Sequence, residues 1–142
     1  MMAIDASKTE QIEKLSDSEV AIVILEGISM YLTNEQVSRL FQTLEKKYSH
    51  LHILMDVYTE FGAKVSKYKN PVNDVGVTEL YGIDDIQGLL NDTAIKLKAE
   101  HSFTPDHLVN ELKTLERVFF KVMFSGKLYK KICRLYELEL IS

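Results

Sequence analysis

Two acidic residues stand where long apolar runs stop. Glu26 follows VAIVIL (Val20 to Leu25), a run without a charge, and Asp56 follows LHILM (Leu51 to Met55). A carboxylate at such a place can accept hydrogen bonds from ligand hydroxyls or from the amides of the next turn. Open α/β sheets bind ligands outside the carboxyl ends of their strands, so both acids are expected to flank one crevice. Gly27, directly after Glu26, lets the backbone approach a ligand closely. The plain alternative for Glu26 is a carboxylate that caps a following turn. For Asp56 the expected role is bonding to nearby turn amides.

Strands must hold these acids in place. Val20, Ile22, Val23 and Ile24 are β-branched, and an unbroken apolar run is the pattern of a parallel strand covered on both faces. Thr33 and Gln36 form a capping-box pair, and Val37, Leu40, Phe41, Leu44 and Tyr48 then recur as one helical stripe. Leu51 to Val57 is the second strand, so a right-handed parallel crossover is predicted. Further on, Phe61, Val65 and Tyr68 suggest a helix, and KNPVNDVG, with Pro71 and Gly76, a loop of the kind that builds substrate pockets. Asp84 and Gln87 open a short helix ending near Asn91, and the stretch up to Phe103 carries Ile95, Leu97 and Ala99 on one side of a strand. Thr104-Pro105-Asp106 starts a helix whose stripe, Leu108, Leu112, Leu115, Phe119 and Val122, is widened by Val109, Val118, Phe120 and Met123. That helix is expected to bridge the sheet and another surface. Alternation near Ile132 to Leu140 gives a final strand. Before Ser18 only Ile12 and Leu15 show helical spacing, enough for a short helix.

The string ILEGISMYLT (Ile24 to Thr33), with the helix after it and the strand HILMDVY (His52 to Tyr58), resembles the leucine carboxyl methyltransferase family, including its tetracenomycin polyketide O-methyltransferase-like branch. The resemblance runs from about Ile4 to the end and covers the C-terminal half of the family's domain. It implies an α/β fold, the second half of a Rossmann-like class I methyltransferase sheet, mostly parallel with the last strand antiparallel and helices on its faces. It implies S-adenosyl-L-methionine as cofactor and carboxyl or O-methyl transfer to a small-molecule or carboxylate substrate. By the same resemblance Glu26 and Gly27 contact the cofactor, and Asp5 in AIDAS matches an acid near the adenine. Met30, Tyr31 and Tyr58 face the substrate. Their plain counterparts are a solvent-facing turn for Asp5 and ordinary cover of the sheet for Met30 and Tyr31. Residues 1–142 are expected to form one partial domain, with 1–18 a loose lead-in and 19–142 the α/β body.

The Gly-rich turn after a first strand and the acid ending a second, both part of the complete pattern, do not occur in this sequence. Under the family topology the neighbour of Val20 to Leu25 is missing, leaving an apolar edge that templates pairing. Self-association, or pairing with a separate N-terminal half, is therefore expected. The alternative function is a non-catalytic α/β association module.

Composition removes other classes. A net charge of −4 argues against a dedicated nucleic-acid binder, which needs a basic surface. Between Lys113 and Arg134 seven basic residues face only Glu116, and a solvated face is expected there ahead of an anion or membrane site. The single cysteine, Cys133, cannot form an intrachain disulfide and is expected as a small core residue. His50, His52, His101 and His107 do not stand at metal-ligand spacing, and no P-loop, nucleophile elbow or H-E-x-x-H occurs. The N-terminus lacks a signal-peptide core and no apolar run could span a bilayer, so a cytoplasmic protein with no membrane partner is expected.

Overall fold

The two apolar runs that end at Glu26 and Asp56 lie side by side. The computed structural model describes residues 3–69, 79–103, 105–124 and 127–141. After one helical turn, α1 (Thr9–Ile12), strand β1 (Val20–Leu25) enters the sheet, and α2 (Asn34–Lys47) carries the chain over to β2 (His50–Tyr58). The expected capping box starts α2: Thr33 Oγ1 accepts the Gln36 amide at 3.2 Å, and Gln36 Oε1 accepts the Thr33 amide at 2.8 Å. All five residues of its predicted stripe are buried. β1 and β2 pair in parallel from Val20↔His50 to Leu25↔Met55, as the crossover requires.

Helices α3 (Glu60–Lys69) and α4 (Ile86–Leu90) follow, then β3 (Lys96–His101), α5 (Asp106–Glu111), α6 (Thr114–Phe124), α7 (Lys127–Lys130) and β4 (Cys133–Ile141). Strand order is β1-β2-β4-β3, with β4 antiparallel to both neighbours. β3 therefore runs the same way as β1 and β2, and only the last strand opposes them, as the resemblance implied. Insertion of β4 between β2 and β3 suits its alternation. Tyr136, Leu138 and Leu140 face the core at 5% exposure or less, packed with Leu51, Ile53 and Met55 of β2.

Several expectations are corrected. β1 is not covered on both faces: Val20, Ile22 and Ile24 are 56%, 72% and 63% exposed, while Leu25 is buried. Its apolar run carries the pattern of a doubly covered strand, but among the described residues no element covers its outer face or pairs with its free edge. The long helix after Pro105 is two helices, since Leu112 is extended and breaks the ladder. Arg117 Nη2 occupies the break by donating to the carbonyls of Asn110 and Leu112, at 2.5 and 2.9 Å. Among the described residues α6 packs chiefly on α5 and α7, and Leu115, Val118, Phe119 and Val122 stay exposed there rather than bridging to the sheet. Pro105 sits at the cap, one position before the first helical residue. Asp85, not Asp84, caps α4 by accepting the Gly88 amide at 3.0 Å. Asp84 instead accepts the Glu60 amide at the start of α3, at 2.9 Å. The predicted KNPVNDVG loop after Lys69 and the Thr104 cap lie outside the described residues.

The outer face of the sheet is divided. On β3 and β4, Lys98 bridges Glu137 and Glu139 at 3.0 and 3.3 Å and His101 meets Glu137 at 2.7 Å. His101 and Lys98 hold the Glu137 carboxyl below its ordinary range. On β1 and β2 the same face shows Ile22, Ile24 and Leu54 to solvent. Water solvates one half well and the other poorly.

Candidate functional site

Pairing of β1 with β2 stops at Leu25↔Met55, so Glu26, just past the end of β1, and Asp56, still within β2, lie at one level. Gly27 then turns the chain with φ +64°, a conformation that costs glycine nothing and a β-branched residue a great deal. A side chain here would meet nothing within 4 Å, so the space beside Gly27 is open. The Gly27 amide donates to Asp56 Oδ1 at 2.8 Å, and Ser29 Oγ donates to the Asp56 carbonyl at 2.5 Å. Asp56 thus fixes the turn after β1, the role its position suggested. That leaves Glu26 exposed, with no side-chain hydrogen bond or ion pair among the described residues. The turn-capping alternative for Glu26 is not what the structure contains.

Glu26 and Asp56 face a cavity of about 270 Å³ whose other walls are Ile24, Leu25, Leu54, Phe103 and Leu135. The two acids do flank one crevice. Phe103 and Leu135 were not singled out from the sequence. They arrive through the pairing of Asp56 with Leu135 and the return of β3, which no local pattern reveals. Phe103 meets Tyr129 edge to face, with ring centroids 5.9 Å apart. Close to Asp56, burial pushes the Cys133 thiol up to about 11, with the Asp56 charge adding to it, so the thiol stays protonated at neutral pH and is a poor nucleophile.

The remaining sequence candidates lie outside the cavity lining. Ser29–Tyr31 form a single 3-10 turn beyond Gly27, in which Tyr31 is exposed and Met30 accepts the Tyr81 amide through its carbonyl at 2.9 Å. Tyr58 ends β2, half-buried, and its carbonyl accepts the Ile83 amide at 2.7 Å. Neither Met30, Tyr31 nor Tyr58 lines the cavity wall. Asp5 lies in the turn before α1, where its carboxylate accepts from the Ser7 amide and hydroxyl at 3.0 and 2.6 Å. Those bonds, with Lys8 at 3.7 Å, hold its carboxyl below the ordinary range. It too stands off the cavity wall.

No protein-family model matches the chain, and no curated protein matches it. Among solved structures it is similar to the magnesium protoporphyrin IX methyltransferase of Synechocystis PCC 6803 with bound SAH, at 13% identity and a TM-score of 0.52. The likeness is one of fold: a four-stranded mixed α/β sheet with flanking helices, like half of that protein. The match covers 98% of this chain and 49% of the Synechocystis protein, so the chain spans about half of that protein's length. Among the described residues no helix is long and apolar enough to cross a membrane.

Proposed function

We propose that the chain supplies one side of the cofactor site, and much of the acceptor side, of an S-adenosyl-L-methionine-dependent methyltransferase. The observation that carries this reading is the division of labour at the strand ends. Asp56 holds the Gly27 turn, Glu26 is left unpaired beside open space, and an apolar wall stands next to both. A free carboxylate and an apolar surface suit a group that bears both hydroxyls and a flat base. The cofactor brings a methyl group already activated by sulfonium charge. The protein's part is then to position the reactants and exclude water, which needs no catalytic triad. The leucine carboxyl branch, with carboxyl or hydroxyl oxygen as acceptor, rests on the ILEGISMYLT string. Met30, Tyr31 and Tyr58 are assigned to the acceptor side, and Asp5 to the outer margin near the adenine.

Calorimetric titration of the chain with S-adenosylmethionine and S-adenosylhomocysteine tests the reading. Micromolar binding is expected, with Glu26→Ala weakening it about 10–100-fold, the loss of one charge-assisted hydrogen bond. Absence of binding up to millimolar cofactor would sink it.

A second reading, an association module, is favoured by the bare outer face of β1. Val20, Ile22 and Ile24 form an apolar strip on an edge strand with no partner among the described residues, the geometry that templates pairing with another chain. The two readings are compatible if the partner is a second copy or a complementary N-terminal half. Sedimentation velocity at micromolar concentration is expected to show self-association of the chain alone. Ile22→Lys combined with Ile24→Lys is expected to return it to monomer, and a monodisperse wild-type monomer would remove this reading.

A further inference from the structure

A second opening lies at the same end of the sheet. β4 places Leu135 opposite Asp56 and Arg134 opposite Val57, so their side chains leave on opposite faces. On the Arg134 side is a cleft of about 460 Å³ lined by Thr59, Phe61, Asp84, Lys131 and Arg134. We propose that this cleft binds an organic carboxylate with an apolar body, as the anchoring group of the methyl acceptor. The word acceptor rests on the methyltransferase reading, whereas the binding does not.

Arg134 is oriented before any ligand arrives. Its Nη1 donates to the hydroxyl of Tyr136, a residue only 1% exposed, at 3.1 Å, and its Nε makes a longer bond to the Lys130 carbonyl at 3.4 Å. Nη2 has no hydrogen bond among the described residues. Neither Arg134 nor Lys131 has an ion pair there. Asp84 and Glu100 are near enough to favour the Arg134 charge, but neither pairs with it, and Asp84 is already held by the Glu60 amide. The main chain of Lys131 is held at its carbonyl by the Thr59 hydroxyl, which in turn accepts the Gly62 amide at 2.9 Å. Two cations without carboxylate partners thus border one cleft, and an oriented guanidinium fits a planar carboxylate better than a point charge does. Phe61, 54% exposed, supplies the apolar wall that a bare inorganic anion could not use.

Amide-detected NMR titration of the full chain with benzoate, benzamide and inorganic phosphate is the test. Benzoate should move the signals of Thr59 to Gly62 and Ile132 to Arg134, and benzamide should not. Arg134→Gln should weaken benzoate at least tenfold and Lys131→Gln severalfold, with circular dichroism unchanged. Lys131 is exposed, so its variant stays informative if Arg134→Gln unfolds. Unmoved signals, equal movement by benzamide, movement by phosphate alone, or indifference to Lys131→Gln would each overturn the proposal. S-adenosylhomocysteine is titrated into the same samples. Benzoate binding without cofactor binding leaves the cleft standing and removes the methyltransferase reading, and the reverse result does the opposite.

Discussion

Phe41→Ala is expected to cost about 3–5 kcal/mol, a large share of the roughly 5–15 kcal/mol that holds a domain folded. Phe41 is 0% exposed on the inner face of α2, in one cluster with Leu51, Ile53 and Tyr136. Truncation removes an aromatic ring from a close-packed interior and leaves a void that backbone hydrogen bonds on both sides prevent from closing. With one face of β1 bare, this cluster is the main core among the described residues. Urea denaturation followed by circular dichroism measures the loss. A midpoint within error of the wild type would show that α2 does not pack on the sheet as described.

Gly62→Ala is expected to destabilise by about 3 kcal/mol, at the upper end of what overpacking costs. A Cβ at Gly62 would lie 2.1 Å from the Ile132 carbonyl oxygen and 2.8 Å from its carbon, both backbone atoms that no rotamer change can move aside. Relief requires α3 to draw away from the chain leading into β4. That movement would also strain the Thr59 amide bond to Ile132, now 3.0 Å, and reshape the cleft that holds Arg134. The variant should therefore lose benzoate affinity as well as stability, which the same denaturation and NMR titrations report. Retention of both would mean that α3 and the segment before β4 are not in contact.

The sequence carried the local rules well. The capping box at Thr33 and the stripe of α2 formed as read, because each depends on residues within a turn or two of one another. Asp56 does bond a turn amide, as read, but that amide belongs to Gly27, 29 residues away, and the pairing of β1 with β2 rather than a local turn supplies it. Other readings failed where a distant neighbour decided the outcome. β1 and α6 carry enough apolar residues to be buried, yet burial needs a covering surface, and a pattern of residues does not contain one. Asp84 and Asp85 are both good helix caps, and the approach of α3 to Asp84 is what separated their roles.

By itself the sequence determined that a parallel pair of strands would bring two carboxylates, Glu26 and Asp56, to one end of their pairing, with a glycine turn between the first of them and the helix that follows. Hydrophobic period, capping chemistry and the crossover rule leave little else possible over that stretch. Tertiary structure alone decided that β4 enters between β2 and β3, and so which residues wall the site. Phe103 and Leu135 reach Glu26, and Lys131 and Arg134 reach Phe61, only because pairings between distant strands and packing between distant segments bring them there. Such contacts are selected by the fit of whole faces, and that fit is a property of the assembled sheet.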